Sequence, residues 1–351
     1  MKALRFEEIG RLELVEVDTP RIRPDQLLVR TGAATICTSD LHDLHGNPFE
    51  IDLPVILGHE GAGTVVEVGE AVTGFRIGDR IAAHPVHPCR QCAACRSGTE
   101  HLCTEMEHFG LNLPGTFAEF FVIRADRARV IPDEVNFAVA ALTEPVCVSL
   151  EAVRQANLAP GGSLLVIGDG PFGVLMARLA GEADLGRVVI AGHHEFRMSF
   201  ASMAQAIDLR PKPDPASALR EASGGEGFDA VILAVAAKEA VSLGLDALRP
   251  KGRLVIFAPM PGETPIDLFT VLLRELEIVG SVNDPGLMDE AIAALSRPSL
   301  ALGDLVTHRF RIDDYRVAFA LAGNRKGRQG RQEAAMKIAF VFDERDDPEI
   351  R

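Results

Sequence analysis

The amino-acid sequence predicts an α/β protein in two parts: a strand-built barrel and, after it, a doubly wound parallel sheet. Three observations carry that expectation. The 351 residues exceed the roughly 250–300 over which one hydrophobic core keeps growing. From Met1 to about Arg129 the chain runs in short alternating segments, "LLVRTGAA", "GAGTVVEVG", "DRIAAHPV" and "AEFFVIRA", punctuated by Gly and Pro, as in strands joined by long functional loops. From about Val139 strand-like and helix-like segments alternate, the pattern of the crossover units that build a parallel sheet.

The elements follow in order. A helical stretch "AVAALTEPVCVSLEAVRQA" leads into the strand and turn of "GGSLLVIGDG". Strands are expected at "RVVIAG", "FDAVILAV", "GRLVIFA" and "LEIVGSV", and helices at "FGVLMARLAG" and "KEAVSLGLDAL". "RPKPDPAS" reads as a surface loop. The segment 291–351 returns to mixed texture and ends in the strand-like "MKIAFVF", which either rejoins the first part or forms a tail.

Charge and cysteine usage narrow the function. With 36 Lys and Arg against 50 Asp and Glu the formal charge is −14, and the most basic run, Arg325 to Arg331, is short, so nucleic acid is not an expected partner. The opening "MKALRFEEIGRLELVEV" lacks an apolar core, and no apolar run is long enough to cross a bilayer; a soluble cytoplasmic enzyme without membrane partners is expected. Six cysteines in such a chain suggest a reducing compartment, where clustered thiols bind metal more often than they pair.

Four of the six lie in "CRQCAACRSGTEHLC", spaced Cys89-x2-Cys92-x2-Cys95-x7-Cys103. Tight turns let the first three thiolates converge and the longer excursion brings in the fourth, which gives a closed tetrahedral zinc site. The rival is an iron–sulfur cluster, but a bacterial ferredoxin run has three residues before its last Cys and a Pro after it; here there are seven, and Thr104 follows. Unligated packing of four thiols does not suit so polar a loop. A second candidate set is scattered: "TICTSDLH" with Cys37, Ser39 and His42, "GHEG" with His59 and Glu60, and "TEPV" with Glu144. Mixed Cys, His and Glu ligation that leaves a position open is what separates a catalytic zinc from a closed one. Cys147 reads as core, and His45 as a residue without a role.

Taken together, "C-x-S-D-L-H", "GHEGAGTVVEVGEAVTGFRIGDRI", the four-cysteine lobe, "GTFAEF", "TEPV", the glycine-rich turn at Gly168 and "ELEIVGS" resemble, in that order, the zinc-dependent medium-chain dehydrogenase/reductase family in its polyol and threonine dehydrogenase branch. The resemblance implies a GroES-like β-barrel catalytic domain over 1–150 carrying the zinc lobe 89–103, a Rossmann nucleotide-binding domain over 151–290, and a segment 291–351 that completes the first. It implies one structural zinc and one catalytic zinc, the latter held by Cys37 and His59 with Glu60 and Glu144 as direct or water-mediated ligands. Glu144 stands where the alcohol dehydrogenase branch has a second Cys, a departure that favours polyols or amino alcohols. Ser39 is suited to take the alcohol proton, and the resemblance puts His42 at the outer end of that relay. Asp40 reads as a supporting hydrogen-bonding residue. The implied reaction moves hydride between a secondary alcohol, such as a polyol or sugar alcohol, and a nicotinamide. Threonine or simple alcohol dehydrogenation is the alternative within the family. A metal-free quinone reductase is the alternative mechanism among enzymes, and a non-catalytic relative that uses the nucleotide as a redox signal is the binding-class alternative; both are disfavoured by the intact set Cys37, Ser39, His59 and Glu60. A homo-oligomer, tetramer or dimer, is also implied.

The turn Gly168-x-Gly170-x-x-Gly173 follows the apolar "SLLVI" and opens a helix, the context in which such glycines let backbone approach a pyrophosphate. Pro171 fixes the bend and removes one N–H. At the end of the next strand, "VVIAGHHEFRM", the acid that usually binds the NAD ribose is replaced by Gly192, by alignment with the family pattern. The vacated space is expected to admit a 2′-phosphate faced by His193 and by Arg197 four residues on, which favours NADP over NAD. Against it stands Glu195, a nearby carboxylate able to take the acid's role.

Overall fold

The computed structural model describes residues 1–210, 212–260, 262–283, 286–323 and 335–343; the basic run 325–331 lies outside them. The chain divides into two compact units, Met1–Glu144 with Pro285–Arg351 and Pro145–Asp284.

The first unit is built on strands. A seven-stranded sheet runs in the order Ala128–Val130, Arg80–Ala83, Glu60–Val68, Gln26–Thr35, Lys337–Val341 and Val306–Phe310, with Phe120–Arg124 also paired to Gln26–Thr35. A three-stranded sheet joins Arg11–Glu16, Lys2–Glu8 and Val55–Ile56. Strand Gln26–Thr35 is central because its residues suit a strand buried on both faces: eight of its ten residues are buried. The strand in "MKIAFVF" pairs antiparallel to it through Ala339 and Thr35, so the late segment does join the early strands. Phe117, Phe319 and Phe340 form one core cluster, with Phe117 edge-on to Phe340 at a centroid distance of 5.3 Å. Each such buried ring contributes about 2–3 kcal/mol relative to exposure.

The second unit holds a six-stranded parallel sheet in the order Gln205–Asp208, Arg187–Gly192, Ser163–Ile167, Phe228–Leu233, Leu248–Ile256 and Glu277–Gly280. Strand order reverses beside Ser163–Ile167, the first strand, which makes its carboxyl end the place where such sheets bind ligands.

Three local expectations are corrected. The stretch "AVAALTEPVCVSLEAVRQA" is two helices, Phe137–Ala140 and Thr143–Gln155, because Pro145 is tolerated only in a first turn and the helix restarts just before it. The Thr143 hydroxyl donates to Ala140 O (2.7 Å) and seals the break. "RPKPDPAS" is not all loop: Asp214 caps helix Pro215–Ala222 by accepting from Ser217 N (3.0 Å). Strand Gln205–Asp208 was not among the expected strands.

Candidate active site and nucleotide turn

Register assembles the first cluster. Strands Gln26–Thr35 and Glu60–Val68 are antiparallel with Thr35 opposite Glu60, so Cys37, two residues past Thr35, comes beside His59, one before Glu60. Gly58 allows the approach: its φ is +92°, and a Cβ there would lie 2.5 Å from the Phe117 ring. The ligand atoms of Cys37, His59 and Glu60 all lie within 4.8 Å of one another, and all three residues are buried. Cys37 precedes helix Thr38–Gly46, and its N–H donates to Asp40 Oδ2 (2.8 Å). The other Asp40 oxygen is 3.4 Å from His59 Nδ1, which leaves Nε2 as the ring's ligand atom, the carboxylate–histidine arrangement that steadies metal ligands. Burial opposes a charge on His59, but Asp40 and then Cys37 hold its pKa well above the ordinary value. Ser39 Oγ is 3.5 Å from His59 Nε2. His42 lies on the exposed face of the same helix. His45 Nδ1 donates to Leu41 O (2.6 Å) in its last turn.

Glu60 is fully buried and doubly engaged. Its carboxylate accepts from the Thr35 hydroxyl and from Lys337 Nζ, 2.5 Å from each oxygen. Glu144 stands outside the converging triad but interacts electrostatically with its His59 and Glu60. Burial, then the charge of Glu60, raises its pKa to about 7, with His59 opposing, and its Oε2 is buried without a hydrogen-bond partner among the described residues. An orphaned buried carboxylate oxygen beside a Cys–His–Glu set is what a divalent cation satisfies, so the residues present fit a zinc ion.

In the lobe the four cysteine sulfurs draw together. Sγ–Sγ separations are 3.5 Å for Cys92–Cys95, 3.8 Å for Cys92–Cys103 and 4.0 Å for Cys89–Cys95. A tetrahedral zinc with bonds of about 2.3 Å sets its sulfurs about 3.8 Å apart. Backbone N–H groups of Cys92, Cys95 and Cys89 point at Cys89, Cys92 and Cys103 sulfurs at 3.3, 3.5 and 3.3 Å, donors suited to thiolates. Arg127 ties the lobe to the strand unit through Glu100 (2.7 Å).

Several neighbours escaped the sequence reading. His108 lies with its ring centroid 5.8 Å from that of His59, brought there by the pairing of Glu107–His108 with Val86–His87. Its Nδ1–H donates to Phe109 O (2.7 Å), and burial, then the His59 charge, pushes its pKa down to about 3. His84 also acts on His108 and Glu144. The doublet in "HPVHP" was the available signal. Lys337 had none, since its partner Glu60 is 277 residues away. Cys147 is core, as expected.

In the second unit Gly168 follows strand Ser163–Ile167 and Gly170 caps helix Pro171–Gly181, with Pro171 in its first turn. Gly168 has φ +125°, a Cβ on Gly173 would overlap the Gly168 carbonyl, and the space beside Gly170 is open. That open cradle over a helix start, at the strand-order reversal, fits a pyrophosphate. The space beside Gly192 is not vacant, which corrects the premise of the NADP expectation: a Cβ there would lie 2.5 Å from Asp169 Cβ and Oδ2. Nor do His193 and Arg197 share a helical face. The short helix is Glu195–Met198, His193 precedes it and is exposed, and His194 is the ring that joins Arg197 around Asp169.

The description "Alcohol dehydrogenase GroES-like domain" matches residues 23–133, and "Zinc-binding dehydrogenase" matches 168–297. L-threonine 3-dehydrogenase of Escherichia coli (strain K12) is 32% identical over 329 residues, 91% of this chain and 95% of that one. Among solved structures, a zinc-binding dehydrogenase of Sinorhizobium meliloti 1021 bound to NADP is 26% identical with a TM-score of 0.88, over 97% of this chain and 98% of that one. A short chain alcohol dehydrogenase of E. coli CFT073 complexed with NADH is 25% identical with a TM-score of 0.89, over 97% and 99%. With both halves matched in chain order and a relative at that identity along nearly its whole length, the chain belongs to the zinc-dependent medium-chain dehydrogenases, enzymes that use NAD(P).

Proposed function

We propose that the chain oxidises a secondary alcohol that carries further polar groups, a polyol or sugar alcohol, and reduces the corresponding ketone in reverse. One observation carries the reading: Cys37, His59 and Glu60 converge within 4.8 Å beside the Ser39 hydroxyl. Zinc, when bound, would supply Lewis acidity to the substrate oxygen, and a bound nicotinamide would supply the hydride acceptor. Cys37 Sγ and His59 Nε2 would hold the metal, and Asp40 fixes the imidazole by receiving its Nδ1–H. Lys337 engages both Glu60 oxygens, whereas Glu144 Oε2 has no hydrogen-bond partner among the described residues and would be the carboxylate oxygen available to a bound metal. Ser39 accepts the hydroxyl proton and passes it towards exposed His42. Polar surroundings, with His108 and Glu144 interacting with His59 and His84 acting on both of them, favour a polar substrate over a simple alcohol. The lobe Cys89, Cys92, Cys95 and Cys103 holds a second, structural zinc. Residues 1–150 with 291–351 act as the catalytic domain and 151–290 as the nucleotide domain.

A second reading, an amino alcohol of the threonine type, is favoured by the 32% identity to L-threonine 3-dehydrogenase. Assaying polyols, sugar alcohols and amino alcohols for nicotinamide reduction separates the two. Turnover of none of them, with simple alcohols preferred, contradicts both. The enzyme acts in the cytoplasm, with a small molecule rather than nucleic acid as partner; no helix among the described residues is long and apolar enough to cross a membrane. A homo-oligomer is supported by helix Leu268–Arg274, where Leu268, Phe269, Leu272 and Leu273 are 66–72% exposed. Light scattering that returns a monomer refutes it. The choice between NAD and NADP turns on the residues around Gly192.

A further inference from the structure

A turn residue between two glycines needs no carboxylate to make its bend, yet position 169 of "GDGPFG" carries one, and Asp169 is only 8% exposed. Its Oδ2 accepts the backbone N–H groups of His193 (2.7 Å) and His194 (2.6 Å). The His194 ring Nδ1 lies 3.0 Å from the same oxygen, and the Arg197 guanidinium is 4.0 Å from Oδ1. Two amides, a ring and a guanidinium at the carboxyl end of strand Arg187–Gly192 therefore already surround an anion, and that anion is the protein's own. Gly192 makes room for it, since any side chain there would strike Asp169 at 2.5 Å. The nearby Arg210 is likewise engaged, by Asp208 at 2.6 Å.

We propose that Asp169 selects the cofactor: supplied from the first turn instead of the second strand, its carboxylate fills the place of a 2′-phosphate, receives the adenosine ribose, and makes the chain prefer NAD. Oδ1 is the oxygen left for a ribose hydroxyl, because its protein contacts are the long ones, 3.3 Å to His194 Nδ1 and 4.0 Å to Arg197. A 2′-phosphate brought to the same place meets a buried like charge whose removal would strip two amides of their acceptor, and such juxtaposition costs enough for at least about a tenfold discrimination. The Gly192–Asp169 pair thus restores the acid that the strand end lacks, and reverses the preference that Gly192 and Arg197 suggest by themselves. The inference rests on the reading of Gly168–Gly173 as a nicotinamide dinucleotide turn.

The test uses calorimetric titration of the full-length, zinc-loaded protein with 5′-AMP, 2′,5′-ADP, NADH and NADPH, so that binding is read apart from turnover. The parent is expected to bind 5′-AMP and NADH at least about tenfold more tightly than their 2′-phosphorylated counterparts. Asp169→Ser frees both amides, and Asp169→Asn keeps one acceptor oxygen for both of them, since both donate to Oδ2, while removing the charge. Both variants are expected to bring the ratio to unity or invert it. A parent that prefers 2′,5′-ADP overturns the proposal, as does a ratio unchanged within about twofold in both variants. If the parent binds none of the four, the dinucleotide reading itself falls and the proposal with it; the ligand-side comparison in the parent stands even if a variant fails to fold.

Discussion

Replacing Lys337 with Met removes the only cation within hydrogen-bonding reach of Glu60 among the described residues and leaves a carboxylate with 0% exposure. The Nζ lies 2.5 Å from both Glu60 oxygens and 3.4 Å from Ile36 O, and the lysine side chain is 2% exposed. Burial works to discharge Lys337, but Glu60 and then Cys37 raise its pKa above the ordinary value, so the pair is an ion pair in the fold. At 2.5 Å and an effective dielectric constant of about 20, the attraction is about 6–7 kcal/mol. Desolvation of two ions offsets much of that, so the pair adds little over an apolar substitute. Breaking it from one side is different: an uncompensated buried charge costs about 3–5 kcal/mol. For a unit of this size each kcal/mol moves the melting temperature by about 2–4 °C, giving a fall of about 6–20 °C for Lys337→Met. Thermal and urea unfolding measure it on protein whose Cys37–His59–Glu60 cluster is free of metal, because a cation there would itself offset the Glu60 charge. The double variant Lys337→Met/Glu60→Gln should recover about 2 kcal/mol of the loss, because the buried charge is gone. A single variant within about 1 kcal/mol of the parent, or strictly additive effects, would refute the reasoning.

Ser39→Ala should lower kcat by about 10²–10⁴-fold while retaining all bound zinc, with Ser39→Thr close to the parent; zinc lost from the alanine variant would make Ser39 structural. Cys103→Ser should lose the lobe's metal and about 4 kcal/mol or more of stability, read by metal content and unfolding. An unchanged melting temperature would sink the structural role.

What could be read from the sequence was local or held in spacing. Cys89, Cys92, Cys95 and Cys103 lie within one loop, so their convergence needed no knowledge of the fold. Glycine positions in "GDGPFG" were legible because the strand before and helix after them are apolar and periodic. Lys337 was not legible: it opens a strand of apolar residues, and only the pairing of Ala339 with Thr35 turns it towards Glu60. Asp169 was hidden for another reason. The position is variable in the motif, and the direction of its side chain depends on where the neighbouring strand ends, which spacing along one segment cannot supply. Gly192 could be recognised as an absence, but what filled that absence came from 23 residues earlier in the chain. The two-helix break at Thr143 is the opposite case: Pro145 was visible and its restriction to a first turn would have placed the break, yet the apolar run around it reads as one continuous helix.

Cys37 and His59 are proposed to hold a metal separate from the one in the cysteine lobe. Zinc content per chain, measured on purified protein and on Cys37→Ser and His59→Ala, tests it most directly. The two ligand clusters predict two zinc ions in the parent and one in each variant, with the fold retained and turnover abolished. A parent that holds a single zinc, or a variant that keeps both ions and most of its activity, would contradict it.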